Sequence, residues 1–309
     1  MRSQRDDEAG LSEVIGFILL LAVIVAAFSL WIIYVVPVNG REGEITQMNN
    51  VKDRFIDYKI SLDSLWINSQ SGVTLSTSFD LGTNGGSTQV SGLFLPLLNP
   101  IGSSAVLSIQ NPGDTLTVNA SCPSGSFTNL YNMSVLQYQS QNNYWIQQTY
   151  YYQLGGVFLS QQDGATYRLL PPISIVNNSG GTNSIVIVPI QLSGSSSIGG
   201  NGPVRVDSRL MTLQSVTGPQ LCNSVNLSVN VSSYTAAQTW ASVFNATLMN
   251  GGITNTSWYV PGIGNQSGTT RTTTFMLVLG PSTSTADVYI TIKPVTYSVT
   301  LNNVASGIT

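Results

Sequence analysis

Residues 14–36 form an apolar run, VIGFILLLAVIVAAFSLWIIYVV, that contains no charged residue and one polar side chain, Ser29. As an α-helix the run is about 34 Å long, enough to cross the roughly 30 Å hydrocarbon core of a bilayer. A core helix of a soluble protein normally keeps a polar face, which this run lacks. Trp31 and Tyr34 lie near its distal end and suit the headgroup region. The run therefore predicts a membrane-spanning helix.

The run does not have the form of an ordinary secretory signal. Such a signal has a shorter apolar region that is followed by a small-residue cleavage site. Here the run ends at Val36 and is followed by Pro37. The small residues Ala9 and Gly10 instead precede the run, at the end of a polar leader. Cleavage at that point would leave the apolar segment at the start of the mature protein.

The block GLSEVIGFILL at residues 10–20 resembles the N-terminus of archaeal type IV pilin-like proteins, which carry a class III signal peptide. The resemblance implies that a prepilin-type peptidase removes residues 1–10 by cutting between Gly10 and Leu11. Glu13 would then be the acidic residue of the mature terminus. A second, looser resemblance, to a large archaeal pilin-like surface family, is carried by YYQLGGV at residues 151–157 and by the Pro-Pro pair that follows.

The same resemblance implies a role for residues 11–36. They would anchor the chain in membrane lipid and pack against copies of themselves in a surface filament. A monomeric, membrane-anchored adhesin or envelope-binding protein, which uses this helix only as an anchor, is the alternative.

Residues 37–67 follow as a second helical segment. Pro37, Gly40 and Gly43 predict a break or kink just past the membrane. Beyond them, apolar residues recur in steps of three and four, which predicts an amphipathic helix; they are Ile45, Met48, Val51, Phe55, Tyr58, Leu62 and Leu65. This stripe packs either on the protein's own domain or on neighbouring subunits, and the first interpretation is favoured.

Residues 68–309 change to a period of two, broken by turn signals such as NGG at 84–86 and NPG at 111–113. The predicted fold class is mainly β, a β-sandwich-type ectodomain of one or two units after the long N-terminal helix. One helix is expected over residues 235–249. The Gly/Ser-rich stretch near 193–203 is the candidate inner boundary.

Well beyond the apolar run, residues 60–309 are nearly free of charge, because they hold only five of the chain's 11 Lys and Arg and six of its 14 Asp and Glu. Eight N-glycosylation sequons follow the run, which favours an extracellular, glycosylated domain; they start at Asn119, Asn132, Asn177, Asn226, Asn230, Asn245, Asn255 and Asn265. Outside the cell, Cys122 and Cys222 can form a disulfide. Two buried free thiols are the alternative.

Several function classes are disfavoured by composition. A net charge of −3 without a basic patch argues against nucleic-acid binding. The absence of histidine removes histidine-based acid–base catalysis and the common zinc sites, so we expect no enzyme, cofactor or metal centre. The aromatic clusters at 144–145 and 150–152 have two interpretations: a sugar-stacking platform, or ordinary strand core, which is favoured.

Overall fold

The computed structural model describes residues 3–83, 99–178, 181–211, 215–253, 259–265, 271–280 and 287–303, with side chains from Val14 onward except at 259–261 and 265. Helix α1 spans Ser3–Leu30, a π-helical turn spans Trp31–Val35, and α2 spans Val36–Ile67. Helix α3, Tyr234–Asn250, confirms the helix expected over 235–249. The remainder is mainly β, so a mainly β chain with a long N-terminal helix is confirmed.

A break at Pro37, Gly40 and Gly43 is wrong, while a kink there stays a prediction. Helical backbone continues through all three residues, and the irregularity lies earlier, in the π-helical turn Trp31–Val35. Proline lacks an N–H and its ring crowds the carbonyl four residues before it, but it is tolerated in the first turn of a helix. Pro37 has that position in α2, because the wider π turn interrupts the regular helix just before it.

The apolar stripe of α2 packs on the protein's own domain. Met48, Val51, Phe55, Tyr58, Leu62 and Leu65 are all buried, and Ile45 is half-buried. Two hydroxyl groups fix the helix further: Tyr58 shares a 2.8 Å hydrogen bond with Ser208, and Tyr297 donates to the Leu62 carbonyl at 2.6 Å. The favoured interpretation of the stripe is therefore confirmed.

The described residues form nineteen strands. They are β1 (Thr74–Asp80), β2 (Ser104–Gln110), β3 (Thr115–Ser121), β4 (Phe127–Asn132), β5 (Val135–Gln141), β6 (Gln148–Gln153), β7 (Gly156–Gln161), β8 (Gly164–Leu169), β9 (Ile173–Asn177), β10 (Asn183–Ile187), β11 (Ile190–Ser193), β12 (Ser196–Gly200), β13 (Pro203–Leu210), β14 (Thr217–Cys222), β15 (Ser224–Val231), β16 (Tyr259–Asn265), β17 (Thr272–Leu279), β18 (Val288–Ile292) and β19 (Val295–Asn303).

These strands make four sheets. Sheet I has the order β1-β13-β19-β11, sheet II β12-β2-β5-β6-β7-β8, sheet III β16-β17-β15-β3-β4 and sheet IV β14-β18-β10-β9. The expected β-sandwich is not confirmed, because the sheets follow one another in a propeller-like ring. The stretch near 193–203, expected as an inner boundary, contains β12 and leads from sheet II into sheet I.

The chain passes between neighbouring sheets through very short connections. One long hairpin, β2–β3 with β4–β5, bends from sheet II into sheet III, and its two arms are paired in both sheets. A second ribbon bends from sheet IV into sheet I, because β10 pairs with β18 and β11 pairs with β19, both in parallel. Strand β14 of sheet IV is followed at once by β15 of sheet III. These connections link all four sheets into one unit.

Two apolar cores lie inside this unit, and each contains a helix. Helix α2 packs with residues of sheets I and II around Phe55, Phe79 and Tyr152. Helix α3 packs mainly with sheets III and IV, and its Trp240 and Phe244 are almost fully buried. Ser233 begins α3 by accepting a 3.1 Å hydrogen bond from the Ala236 N–H, a normal N-cap.

Buried tyrosines make this fold sensitive to alkali. Burial raises the pKa of Tyr58 and Tyr152 above the usual 10.0, and burial raises the pKa of Tyr138 to about 12. Above pH 10 the unfolded chain loses protons that the folded chain keeps, so stability present below pH 10 is lost as pH rises. We expect each such tyrosine to remove about 1.4 kcal/mol per pH unit between pH 10 and 12.

Urea unfolding at several pH values, with tyrosinate absorbance as a second signal, measures this loss. Tyr58→Phe should lower stability at neutral pH, because it removes the hydrogen bond to Ser208, but should make the alkaline decline shallower. An equally steep decline in Tyr58→Phe would contradict the explanation.

Candidate anchoring and assembly site

Residues 14–34 lie outside both cores. Every side chain in this segment, which we call the exposed apolar segment, is solvent-exposed, including Phe17 at 66% and Val23 at 69%. Among the described residues, one helix, Val14–Ile67, is long and apolar enough to cross a membrane, and its most apolar window is not buried at all. An apolar surface of this size marks a site that contacts lipid or other protein.

The backbone of the segment and the side chain of Ser29 suit an apolar environment. Residues 14–34 are helical throughout, so their peptide groups bond within the helix and need no water. The Ser29 hydroxyl donates a 2.8 Å hydrogen bond to the Val25 carbonyl one turn earlier. Within residues 14–30, therefore, no polar group requires a partner outside the helix.

A contact between α2 and the β5–β6 loop fixes the segment to the domain. We call this contact the helix clasp; it joins residues 40–44 of α2 to residues 142–147. Gly40 packs against the Tyr144 ring so closely that an added Cβ atom would overlap the ring. The Arg41 guanidinium lies 4.3 Å from the centre of the Trp145 ring, in a cation–π arrangement.

Glu44 is the central residue of the helix clasp. Its side chain is almost fully buried, and its two carboxylate oxygens accept hydrogen bonds from the backbone N–H groups of Asn143 at 2.6 Å and Tyr144 at 2.8 Å. The loop is held on its other side too, because the Tyr144 hydroxyl accepts from the Ile101 N–H at 3.1 Å. The helix clasp therefore sets the direction in which the exposed apolar segment leaves the domain.

Glu44→Ala should leave two loop N–H groups without an acceptor. We expect it to lower the free energy of unfolding by about 2–3 kcal/mol and the melting temperature by roughly 5–10 °C. Glu44→Gln keeps one acceptor oxygen, so its melting temperature should lie between those of the wild-type protein and Glu44→Ala. Glu42→Ala, at an exposed neighbour, is the matched control. Equal melting temperatures for Glu44→Ala and Glu42→Ala would contradict the role of Glu44.

The predicted leader cleavage point lies within α1. The bond between Gly10 and Leu11 and the residue Glu13 are part of its helical backbone, while their side chains lie outside the described residues. Leader removal and the role of Glu13 stay predictions.

The structure joins the two cysteines by a disulfide. Cys122 directly follows β3 of sheet III and Cys222 ends β14 of sheet IV, so the bond links two neighbouring sheets. Both residues are buried in the core that contains α3.

Four of the eight sequons lie together on the outer face of sheet III. Asn119 and Asn226 face each other across β3 and β15, with Asn230 and Asn132 on the same face. Asn132 is exposed, as is Asn245 on α3, whereas Asn119, Asn177, Asn226 and Asn230 are half-buried. Asn255 and the side chain of Asn265 lie outside the described residues. Asn132 and Asn245 are therefore the most accessible glycan acceptors among the described sequons.

The aromatic clusters separate into three environments. Tyr150 and Tyr152 are core residues against α2, as the favoured interpretation held. Tyr144 and Trp145 belong to the helix clasp, which the sequence analysis missed. Tyr151 points to the opposite face of sheet II and stacks on Phe158, with ring centres 5.1 Å apart.

The role of Glu44 as a buried hydrogen-bond acceptor was also not predicted from the sequence. It lies four residues before Met48 and so continues the apolar stripe of α2. An acid on an apolar stripe is a usable signal of a buried acceptor, although its partners cannot be read from the sequence.

Comparisons with protein-family models, with curated proteins and with solved structures find no match. The resemblance to archaeal pilin-like proteins therefore depends on the quoted residues alone. Within the described residues no group of three or more Cys, Asp or Glu side chains could hold a metal ion.

Proposed function

We propose that this protein is a non-catalytic, type IV pilin-like subunit of a cell surface, held in the membrane by its N-terminal helix and displaying its β domain outside. The observation that carries the proposal is the exposed apolar segment, residues 14–34, which lies outside both cores with all its side chains exposed. The GLSEVIGFILL block adds support. In the membrane this segment contacts lipid, and in a filament it packs against the same segment of other copies.

The helix clasp supports the same role. Assembly of identical subunits needs one fixed relation between the packing surface and the displayed domain. Gly40, Arg41 and Glu44 each bind α2 to one loop by a different contact, so the helix leaves the domain in one direction. A flexible linker at this point would not hold the displayed domain in one orientation relative to the packing surface.

N-terminal sequencing of the protein purified from its native cells tests the leader. We expect the mature chain to begin at Leu11, and an intact Met1 would contradict the pilin-like route. Shearing the cells and sizing the released material tests assembly. We expect the chain in filaments of high mass, whereas recovery only from membranes would favour the monomeric alternative.

That alternative, an anchored adhesin or envelope-binding protein, is favoured by one observation. The apolar stripe of α2 is buried within its own domain, so it adds nothing to the apolar surface that residues 14–34 offer for contacts between subunits. For a monomeric anchor this segment suffices.

A further inference from the structure

Part of the face of sheet II that points away from α2 carries neutral polar side chains. On the α2 side, Leu136, Tyr138, Tyr150 and Tyr152 are buried in the core. Alternate residues point to the opposite face, because successive side chains of a strand alternate. Their register places Gln137 beside Tyr151, Gln139 beside Thr149, and Thr149 beside Ser160.

Two adjoining cavities lie over this face. One, of about 330 Å³, is lined by Gln110, Asp114, Gln137, Tyr151 and the start of α3. The other, of about 560 Å³, is lined by Gln141, Asn142, Gln147, Gln161 and Gln162 among others. Both include Gln139, Thr149 and Ser160, so they form one continuous groove, which we call the amide groove. Each part is within the usual size of ligand sites.

The amide groove is rich in carboxamides and nearly free of charge. Eight glutamines and two asparagines line it, and its one charged lining residue is Asp114. The Asp114 carboxylate accepts hydrogen bonds from Arg271 and from Gln153, so its charge is already paired. A charged ligand would enter this groove without a counter-charge, which is unfavourable.

The lining side chains divide into two groups. Gln153, Gln147 and Asn142 are held in hydrogen bonds with neighbouring protein groups. The amides of Gln137 and Gln139 and the hydroxyls of Thr149 and Ser160, in contrast, make no side-chain hydrogen bond to any described residue, although Gln137 is half-buried. Each free carboxamide offers two donors and one acceptor.

An aromatic ring, that of Tyr151, lines one of the two cavities of the amide groove. Tyr151 is held by stacking on Phe158, and it faces Gln137 across the strand pair. Burial, with the negative charge of Asp114 nearby, raises the pKa of Tyr151, so its hydroxyl stays neutral. An aromatic ring beside neutral donors and acceptors suits a ligand with apolar faces and hydroxyl edges.

We propose that the amide groove binds a neutral oligosaccharide. Sugar hydroxyls both donate and accept hydrogen bonds, carry no charge and match the free amides of Gln137 and Gln139. The extent of the groove across two cavities suits several sugar units. This inference does not depend on how the N-terminal helix is used.

Calorimetric titration of the full chain in detergent micelles tests the proposal. The probes are neutral oligosaccharides (malto-, cello-, xylo-, manno- and chito-hexaoses), with an oligogalacturonate and an uncharged Gly/Ser peptide of similar length alongside. We expect at least one neutral oligosaccharide to bind and the other two probes not to bind. The titration is repeated on protein from native cells before and after enzymatic deglycosylation. Tighter binding of the added oligosaccharide after deglycosylation would show that glycans of neighbouring copies had occupied the groove.

The double variant Gln137→Leu, Gln139→Leu removes the free amides and keeps similar side-chain volume. We expect it to bind the same oligosaccharide at least about tenfold more weakly, as expected for two lost hydrogen bonds. Gln70→Leu with Gln238→Leu, at exposed positions outside the groove, should bind normally. Circular dichroism and melting temperature verify folding.

Three results would overturn the proposal. They are the absence of binding to every neutral oligosaccharide tested, unchanged affinity in the folded groove variant, and preference for the acidic oligosaccharide or the peptide.

Discussion

A chain that lacks residues 1–35 is expected to fold into a water-soluble domain, whereas one that lacks residues 1–67 is expected not to fold. The first deletion removes the exposed apolar segment, which belongs to neither core. The second also removes α2, six of whose buried apolar side chains lie in the core of sheets I and II. At about 1.5–3 kcal/mol each, they contribute roughly 9–18 kcal/mol, as much as the whole stability of a typical domain.

Solubility without detergent, gel filtration and circular dichroism distinguish the two truncated chains. The shorter deletion should keep the melting temperature of the intact protein in micelles and leave the membrane fraction entirely. Its control is the intact chain expressed in the same way, which should sediment with membranes. A soluble intact chain, or a folded chain without α2, would each contradict this division of the N-terminal helix.

Loss of the disulfide is the second large effect. Cys122→Ala with Cys222→Ala should lower the free energy of unfolding by about 4 kcal/mol, since the bond closes a loop of 100 residues and restricts the unfolded chain. The melting temperature should fall by roughly 10 °C or more. Thermal melts of the double variant and of the oxidised protein measure the difference.

Reduced wild-type protein is the matched control, because it lacks the bond but keeps both sulfur atoms in the core. It should melt close to the double variant. If the oxidised and reduced proteins melt at the same temperature, the bond does not stabilise the fold. Mass spectrometry of the protein from native cells, with and without reduction, shows whether the two sulfurs are joined there.

Local patterns predicted the helices well. The apolar run of 14–36, the stripe from Met48 to Leu65 and the spacing of Trp240, Phe244 and Leu248 each depend on neighbouring residues, and each forms a helix in the structure. The break expected at Pro37 is absent, because residue type alone does not show where in a helix a proline lies, and proline is tolerated in the first turn. The π-helical turn that accommodates Pro37 has no distinct sequence signal.

The arrangement of the sheets could not be predicted in the same way. Strand β10 pairs with β18, about a hundred residues later, and period-two patterning does not specify a partner at that distance. The bends that carry one hairpin across two sheets look like ordinary turns in sequence. The amide groove has no signal in the sequence for a related reason. Its residues come from β2, β5, β6, β7, β8, the loops between them and the start of α3, and only the folded domain brings them together.

The position of α2 has a mechanical consequence. Tension on the N-terminal helix runs along the axis of α2, and its buried stripe from Met48 to Leu65 lies parallel to that axis. The force therefore acts in shear on all these side-chain contacts at the same time. The first turn of α2 cannot detach before the later turns also bear the force. A domain pulled by flow or by a surface would resist through the whole length of α2 at once.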